Sequence, residues 1–386
     1  MDKNFKVGVI GAGFISPAHV EGIRRSGYEV HALAASSQVN ADRSAKALRI
    51  PKAYGRWKDL VNDNEIDVVI VASPNYLHFR QAKAALEAGK HVICEKPLTI
   101  STEESSTLVA LASEKKLANA VSFNLRFYPL IQESRSRIVQ KELGEKIFII
   151  QGGYQQDWLL YETDWNWRLD PDLGGKLRAV ADIGSHWLDL ATFITGARIK
   201  SVNADFATFL PIRKKPKVYQ ATFDSESVSD TDYVEKHIQT EDYASIMLSF
   251  ENGARGVVTI SQVSSGRKNK LFFEVNGSRS SLMWDAELPN HLWIGHREQP
   301  NQLMIKDPSL MKDDVQWSSS YPGGHAEGYP DTFKQLYSVF FDDLNTGNFE
   351  IEPKFPTFKD GHRMLLVEDA ILKSANQRRW VDVNYG

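Results

Sequence analysis

The stretch FKVGVIGAGFIS, residues 5–16, decides the fold of the first part of the chain. An apolar run over residues 5–10 predicts a buried strand, and the residues after the stretch are typical of a helix. Gly11 allows a tight turn, and Gly13 allows a pyrophosphate to approach the backbone at the helix start. Ser16 stands where the fingerprint has its third glycine, and a small residue still permits close helix packing. The stretch therefore predicts a dinucleotide-binding turn between a strand and a helix.

Strand-like and helix-like runs alternate after this turn. Apolar runs predict further strands, at residues 29–34, 66–72, 92–96 and 120–124. The intervening patterns predict helices, at residues 41–48, 79–88 and 101–116. Such alternation is typical of an α/β domain with a doubly wound parallel sheet, the Rossmann arrangement. We expect this domain to cover residues 1–122.

Short β-rich runs dominate the rest of the chain, which we expect to form one second domain over residues 123–386. The runs lie at residues 146–151, 202–209, 243–250, 255–261, 271–275 and 281–284. Asn252-Gly253 and Asn276-Gly277 fall at two of the joints, and both pairs tolerate the backbone of a tight hairpin. An α+β domain with a mainly antiparallel, open sheet follows from this pattern.

Helices are predicted in this second domain at residues 177–194, 331–344 and 358–377. The most polar stretch, residues 213–232, is interpreted as an excursion on the surface.

Composition excludes several classes of function. The 386 residues carry a formal net charge of -3, so no basic field is present to hold nucleic acid or an anionic membrane. Cys94 is the single cysteine, which excludes an internal disulfide and indicates a reducing compartment. Its place in an apolar strand indicates packing. The chain begins close to a strand and has no apolar run of about 18 residues. We therefore expect no signal peptide, no membrane span and a cytoplasmic location.

The end of the second predicted strand bears on the choice of coenzyme. An acidic residue at this place would bind the ribose hydroxyls of NAD and repel a 2'-phosphate. The sequence has Ser36 and Ser37 there instead, with Arg43 a little further on. Serine hydroxyls and a guanidinium are compatible with a phosphate, so the sequence permits NADP and leaves NAD open.

Lys96 ends the predicted strand at residues 92–96, within Glu95-Lys96-Pro97. Open α/β sheets bind their ligands at the carboxyl ends of the strands, so Lys96 is placed for chemistry. The alternative interpretation is a solvated turn without function.

Asp182 and His186 are four residues apart on the predicted helix at residues 177–194. This spacing places both side chains on one helix face. Histidine is suited to proton transfer near neutral pH, and a neighbouring carboxylate sets its tautomer. Such pairs also arise by chance on surface helices. Gly174-Gly175 and Gly184, together with apolar neighbours, favour burial and a close approach of backbone.

Taken together, these motifs resemble the Gfo/Idh/MocA family, whose namesakes include glucose-fructose oxidoreductase and inositol dehydrogenase. The resemblance rests on the glycine turn, Glu95-Lys96-Pro97 and Asp182-Ile183-Gly184-Ser185-His186, in this order, and it extends over nearly the whole chain. It implies a first domain that binds NAD or NADP and a second domain whose sheet often makes oligomer contacts. Ser16 and the serines at the ribose position depart from the pattern.

The resemblance implies a role for each matching residue. Lys96 would hydrogen-bond the reacting hydroxyl, and His186 would act as the general base in oxidation and the acid in reduction. Asp182 would hold the substrate or the imidazole. Cofactor contacts would come from Gly11, Gly13, Phe14, Ile15, Ser36, Ser73, Asn75, His78, Glu95, Lys96 and Asn124. Ser37 and Arg43 are added as phosphate-compatible side chains.

A dense aromatic and polar group precedes the helix of His186, and such groups suit the faces and hydroxyls of a sugar or cyclitol. Its members are Tyr154, Asp157, Trp158, Trp165, Trp167 and Arg168. The alternative is that these tryptophans fasten a loop or serve a subunit contact, and Arg168 is equally suited to the cofactor pyrophosphate. His325, in a glycine-rich bend, is a further candidate for the substrate pocket or a structural residue. No cluster has metal-ligand spacing, so no metal is expected.

The sequence therefore predicts an NAD(P)-dependent oxidoreductase that acts on a secondary hydroxyl of a sugar, a sugar derivative or inositol. An NAD-dependent, redox-neutral glycosidase and a non-catalytic dinucleotide-binding sensor are the alternatives. The expected partner is a small sugar or cyclitol, with neither nucleic acid nor membrane. The resemblance implies a homodimer or homotetramer.

Overall fold

The computed structural model describes residues 4–217 and 233–386. Contacts between residues divide the chain into two compact units, each built from three segments. The first unit comprises Met1–Asn124, Asp172–Gly175 and Pro330–Leu365, and the second comprises Leu125–Pro171, Lys176–Tyr329 and Leu366–Gly386. The chain therefore returns to its first unit near the carboxyl end. The division into a first domain over residues 1–122 and a second domain over residues 123–386 stays a prediction.

The first unit contains a parallel sheet with six strands among the described residues. The strands are β1 (Lys6–Ile10), β2 (Glu29–Ala34), β3 (Lys52–Tyr54), β4 (Val68–Val71), β5 (His91–Cys94) and β6 (Asn119–Val121). Their order is β3-β2-β1-β4-β5-β6, with every pair parallel. All four residues of β4 are buried, as expected for a strand covered on both faces. The predicted Rossmann arrangement is confirmed, and its strand order reverses between β1 and β4.

Helices connect the strands of this sheet. They are α1 (Ser16–Arg25), α2 (Gln38–Leu48), α3 (Trp57–Val61), α4 (Asn75–Glu87) and α5 (Thr102–Lys115). Local chemistry explains three of the starts: Pro17 stands in the first turn of α1, and the hydroxyls of Ser37 and Ser101 accept backbone hydrogen bonds as caps of α2 and α5. The predicted helices are therefore present, with starts that differ by up to four residues.

The second unit contains a large sheet, which has nine strands in the described part of the chain. The strands of this unit are β7 (Ile147–Gln155), β8 (Ile199–Ala207), β9 (Ile212–Pro216), β10 (Tyr233–His237), β11 (Tyr243–Phe250), β12 (Arg255–Ser261), β13 (Lys270–Gly277), β14 (Ser280–Asp285), β15 (His291–His296), β16 (Gln302–Ile305) and β17 (Val381–Asp382). The order in the sheet is β16-β15-β14-β13-β7-β12-β11-β8-β17, while β9 and β10 pair separately.

Most strand pairs of the large sheet are antiparallel. The pair of β12 with β7 is parallel. The hairpin predicted at Asn252-Gly253 joins β11 to β12, and Gly253 has φ +91°. A hairpin also joins β13 to β14, but Asn276-Gly277 forms the end of β13, and residues 278–279 lie between the two strands. The prediction of an α+β domain with a mainly antiparallel sheet is therefore confirmed.

The remaining helices are α6 (Pro129–Val139), α7 (Pro171–Gly174), α8 (Ser185–Thr195), α9 (Tyr329–Thr346) and α10 (Phe358–Gln377). A π-helical turn, Val180–Gly184, precedes α8, so the single helix predicted at residues 177–194 is two elements. Trp187 of α8 donates its indole hydrogen to the carbonyl of Phe272, and a Cβ at Gly152 would lie 2.6 Å from that indole nitrogen. Glycine at this place therefore allows α8 to lie close to the sheet.

The polar stretch at residues 213–232 was interpreted as a surface excursion, and this is wrong for its start. Arg213 is fully buried and lies in β9. The guanidinium donates to the carbonyl oxygens of Leu159 and Tyr161 and to the carboxylate of Asp242, so its charge is compensated inside the second unit. Residues 218–232 lie outside the described part of the chain.

Two expectations about the chain as a whole bear on the fold. Cys94 is fully buried at the end of β5, in agreement with a packing role. Among the described helices, none combines the length and the apolar character that crossing a membrane requires.

Candidate active site

The glycine turn lies at the carboxyl end of β1, where the strand order of the first sheet reverses. Gly11 has φ +120°, and a Cβ there would lie 2.3 Å from the carbonyl oxygen of Ala72. Glycine is therefore required at this position. A Cβ at Gly13 would meet no described atom within 4 Å, and Phe14 is largely exposed. Residues 12–14 of the turn are exposed just before α1, which fits a bound pyrophosphate.

The residues predicted near the adenosine ribose lie around the start of α2. Ser36 and Arg43 both contact Asn40: the Ser36 hydroxyl accepts from its amide at 3.0 Å, and Arg43 donates to its Oδ1 at 3.1 Å. Ser37 caps the helix through the backbone amide of Asn40. Ser36, Ser37 and Arg43 are exposed, and Asp42, beside Arg43 in α2, accepts from the side-chain amide of Gln38 at 2.8 Å. Their part in coenzyme binding stays a prediction.

Glu95 follows β5 directly and Lys96 comes next, and the carboxylate of Glu95 lies against a buried histidine. His19 Nε2 lies 3.0 Å from Glu95 Oε1, and His19 Nδ1 lies 2.6 Å from the hydroxyl of Tyr337. The imidazole therefore lies between the carboxylate of Glu95 and the hydroxyl of Tyr337. Burial alone would raise the pKa of Glu95, but the interactions with His19 and Lys96 lower it to about 2. Glu95 therefore stays ionised, and its Oε2 accepts from the backbone of Lys96 at 3.2 Å.

His78 joins the loops that follow β4 and β5. Its Nδ1 lies 2.8 Å from the carbonyl of Pro97, and its Nε2 lies 2.8 Å from the carbonyl of Ser73. The side chain is fully buried, and burial lowers its pKa. The neutral imidazole therefore lies between the backbones of the two loops and donates its one ring hydrogen to one of the two carbonyls.

Ser73, Asn75 and Asn124 each make a polar contact within the first unit. The Ser73 hydroxyl donates to Gln81, and the Asn75 amide donates to the carbonyl of Gly174 at 3.0 Å. The Asn124 amide donates to the hydroxyl of Thr332 at 2.7 Å. Contacts of these three residues with the cofactor stay predictions. The same holds for Ile15, beside the glycine turn.

Asp182 lies in the π-helical turn of the second unit, and two side chains hold its carboxylate. Arg168 Nε lies 2.9 Å from Oδ1, and the amide of Gln262 donates to Oδ2 at 2.9 Å. The guanidinium of Arg168 also lies over the ring of Trp167, 4.5 Å from its centroid. The structure thus pairs Arg168 with Asp182, while a contact of Arg168 with the cofactor remains a prediction.

His186 lies in the first turn of α8, and only 9% of its surface is exposed. Its ring centroid is 6.4 Å from that of Tyr154. Burial raises the pKa of the Tyr154 hydroxyl, which donates to Asn269 at 2.6 Å. Tyr154 therefore stays protonated beside the imidazole.

The aromatic group before α8 is tied to its own unit. Trp158 and Trp165 pack against the buried residues Leu159, Leu169 and Ile238. The indole of Trp158 donates to Gln156, and Lys215 Nζ lies 5.2 Å from the ring centroid of Trp165. These contacts support the alternative that the tryptophans fasten a loop. Their role in substrate binding stays a prediction.

Asp157 and His325 are the remaining predicted substrate residues. Asp157 accepts from Lys268 at 2.8 Å and from the backbone of Gly266 at 2.9 Å, so it fastens the loop after β12. The side chain of His325 is exposed. Its glycine-rich bend is anchored by the buried pair of Lys306 and Glu327, 2.8 Å apart. A pocket role of either residue remains untested.

One cluster in the described residues has ligand atoms close enough for a metal ion. The side-chain atoms of His31, Asp63 and Glu65 lie within 4.8 Å of one another. The ammonium of Lys52 already pairs with both carboxylates. The cluster is therefore occupied by an ion pair, and the expectation of no metal stays a prediction.

Several site residues had no signal in the sequence. His19 reaches Tyr337 across 318 positions of the chain. Gln262 follows β12 and meets Asp182 from 80 positions away. Neither His19 nor Gln262 belongs to a local sequence motif, so only the folded chain shows which residue each of them contacts.

A parallel sheet whose order reverses beside a glycine turn defines a dinucleotide-binding domain. Residues 5–123 match the model of the GFO/IDH/MocA oxidoreductase family with an NAD-binding Rossmann fold, and residues 131–283 match the GFO/IDH/MocA C-terminal domain. The chain therefore belongs to the GFO/IDH/MocA family of oxidoreductases. The predictions of the family, of an oxidoreductase and of a nicotinamide cofactor are confirmed, and NAD is the form named for this domain.

Individual relatives resemble the chain over its full length. Levoglucosan dehydrogenase of Pseudarthrobacter phenanthrenivorans is 28% identical over 99% of this chain and 98% of its own. A levoglucosan dehydrogenase structure, in complex with NADH and L-sorbose, has a TM-score of 0.89 at 27% identity and covers 99% of both chains. An inositol dehydrogenase homologue from Azotobacter vinelandii, in complex with NAD+, has a TM-score of 0.85 at 25% identity, covering 98% of this chain and 97% of that one.

Proposed function

We propose that this protein is an NAD-dependent dehydrogenase that acts on a secondary hydroxyl of a sugar, a sugar derivative or inositol. The observation that carries the proposal is the similarity over 99% of both chains to a dehydrogenase whose structure holds NADH and L-sorbose. The likeness to an inositol dehydrogenase homologue supports extending the substrate class to cyclitols. Both substrate types offer neighbouring hydroxyls to hydrogen-bonding side chains.

The first unit has the residues to hold the dinucleotide. The glycine turn at Gly11 and Gly13 and the amides at the start of α1 suit the pyrophosphate. Ser36 and Ser37 suit the adenosine ribose, and Ser73 and Asn75 stand at the same edge of the sheet. The chemistry that NAD supplies when bound is acceptance and return of a hydride. Every other task falls to side chains of this protein.

Lys96 would hydrogen-bond the oxygen of the reacting hydroxyl. Charge builds up on this oxygen as its proton leaves, and a cationic donor stabilises that charge. Glu95 supports the arrangement, because its ionised carboxylate accepts from the backbone of Lys96.

His186 would accept the proton from that hydroxyl in oxidation and return it in reduction. A buried imidazole is suited to this exchange near neutral pH. Asp182 would accept a hydrogen bond from the substrate. Lys96, His186 and Asp182 would then have separate tasks in the reaction.

A substrate screen tests the proposal. Sugars and cyclitols are offered with NAD and with NADP, and absorbance of the reduced nicotinamide reports turnover. Lys96→Met and His186→Asn should lower kcat about 10²- to 10⁴-fold while NAD still binds. Lys83→Met and His237→Asn make the same replacements at a half-exposed lysine of α4 and an exposed histidine of β10, and should leave turnover unchanged.

Three outcomes would contradict the proposal. Unchanged turnover in the Lys96 and His186 variants would remove the assigned roles. Cleavage of a glycoside without added coenzyme would favour the redox-neutral glycosidase. NAD binding without turnover of any sugar or cyclitol would favour the sensor.

A homodimer or homotetramer and a cytoplasmic location remain part of the proposal. Exposed apolar side chains on strands of the large sheet support an oligomer, since such surfaces are commonly covered. They include Phe148, Met247, Val257 and Met283.

A further inference from the structure

Asp182 is fixed by two donors that belong to the second unit. Arg168 Nε lies 2.9 Å from Oδ1, and Gln262 Nε2 lies 2.9 Å from Oδ2. The side chain of Asp182 is only 12% exposed, and Gln262 is fully buried. A carboxylate has about four acceptor positions, and these two donors take one on each oxygen. The carboxylate is therefore oriented before any substrate arrives.

Gln262 itself has little freedom to move. It follows the last residue of β12, and its backbone amide donates to the carbonyl of Asp242 at 3.1 Å. A carboxylate only accepts hydrogen bonds, so the amide of Gln262 must present its nitrogen to Asp182. A reversed amide would bring two oxygens into contact in a buried place. The orientation of Gln262 is thus determined by Asp182.

The backbone around Asp182 is fixed as well. Glu241 is buried, and its Oε1 accepts from the backbone amides of Arg178 and Val180, each at 2.9 Å. Val180 is the first residue of the π-helical turn that carries Asp182, and Arg178 lies two residues before it. Backbone and side chain are therefore held by separate contacts, which is what a site that orients a ligand requires.

We propose that Gln262 is a positioning residue that, together with Arg168, holds Asp182 as an ionised acceptor for a substrate hydroxyl. The proposal rests on the dehydrogenase function proposed above. Two donors, one of them a cation, favour the charged form of the carboxylate. Asp182 then binds and orients the sugar without exchanging a proton, and the proton transfer is left to His186.

Gln262→Glu tests this role through the pH profile. The replacement keeps the size of the side chain but sets a second carboxylate against Asp182. Two carboxylates in contact do not both ionise easily, so they share one proton. With this proton in place, the introduced acid group donates to Asp182 as the amide does. When the pH rises, the proton is lost and the two charges repel each other.

The expected result is a loss of activity that grows with pH. Relative to the unmodified protein, kcat/KM of the Gln262→Glu variant should fall at least about tenfold between about pH 6 and about pH 9. The leucine of Gln262→Leu cannot donate a hydrogen bond and does not titrate. KM should therefore rise about tenfold at every pH, with a smaller change in kcat. Gln132→Leu removes another buried amide, which donates to the carbonyl of Arg126, and should change neither the pH profile nor KM.

A second measurement needs no substrate. In thermal unfolding, the deficit of the Gln262→Glu variant against the unmodified protein should widen as the pH rises. When Asp182→Asn is added, the amide at position 182 donates to the carboxylate at position 262, so donor and acceptor have exchanged places. The double variant should therefore lose this pH-dependent deficit. Parallel pH profiles for the Gln262→Glu variant and the unmodified protein would overturn the proposal. An unfolding deficit that persists in the double variant would do so as well.

The two measurements separate this proposal from the one on which it rests. When no sugar or cyclitol is turned over by the unmodified protein, the dehydrogenase function fails. The unfolding measurement still decides whether Gln262 fixes the ionised form of Asp182.

Discussion

Replacing His19 by leucine removes the imidazole that lies against the carboxylate of Glu95. His19 is fully buried, its Nε2 lies 3.0 Å from Glu95 Oε1, and the side chain of Glu95 is only 12% exposed. The variant leaves a carboxylate in a buried place with fewer donors. We expect the variant to be less stable at neutral pH. Its free energy of unfolding should also change less as the pH is lowered.

The size of the effect follows from the acidity of Glu95. Burial works to raise the pKa of this carboxyl, but His19 and Lys96 bring it from 4.5 to about 2. This difference between the ordinary pKa of a glutamate and the pKa of Glu95 in the folded protein corresponds to about 3 kcal/mol of stability. Because the folded-state pKa is the lower one, this contribution is complete above about pH 4.5. It is lost as the pH falls toward about 2, and His19→Leu should remove about 2 kcal/mol of it.

Urea denaturation between about pH 2 and about pH 7, followed by circular dichroism, measures the effect. His31→Leu is the matched control, because His31 Nε2 lies 3.3 Å from Glu65 in a pair whose carboxylate is 49% exposed. Water screens an exposed pair of this kind, so His31→Leu should change stability far less than His19→Leu. Equal stability of the His19→Leu variant and the unmodified protein near pH 7 would refute the reasoning. So would an undiminished loss of stability below pH 4.5.

Two further predictions concern the backbone and the core. Gly11→Ala should lower the free energy of unfolding by about 2 kcal/mol and abolish NAD binding, because φ is +120° and the new Cβ would lie 2.3 Å from a carbonyl oxygen. Gly13→Ala should fold normally in the same urea titration, since a Cβ there meets open space. Arg213→Met should cost about 3 kcal/mol, because the carbonyls of Leu159 and Tyr161 lose a buried donor and Asp242 loses one of its two guanidinium partners. Arg213→Lys should recover part of this loss in thermal unfolding, and full stability of the methionine variant would contradict the role.

Local patterns were sufficient for much of the fold. The limits of β2, β11 and β12 agree residue for residue with the apolar runs that predicted them. Strands β3 and β17, of three and two residues, are too short to show a period. Strands β9 and β10 are rich in charge, and the burial of Arg213 in β9 depends on Asp242, far along the chain. The prediction of a surface segment failed at Arg213 because a residue elsewhere in the chain, Asp242, allows this charged side chain to be buried.

The π-helical turn shows the same limit at the site. A spacing of four residues predicted that Asp182 and His186 share one face of a regular helix. In the structure Asp182 lies in a π-helical turn that leads directly into α8, the helix of His186, and backbone amides at the start of this helical segment donate to Glu241. Spacing identifies the residues, but the partner groups set their orientation.

The sequence by itself determined the two-part architecture, the glycine turn at Gly11 and the identity of Lys96, Asp182 and His186 as candidates. Apolar periodicity, the backbone freedom of glycine and the chemistry of short motifs are properties of neighbouring residues, so they can be read without coordinates. Only the tertiary structure decided that His19 and Tyr337 support Glu95 and that Arg168 and Gln262 hold Asp182. A buried polar group takes whichever partner the packed chain brings within about 3 Å, and that choice is made by folding rather than by order along the chain.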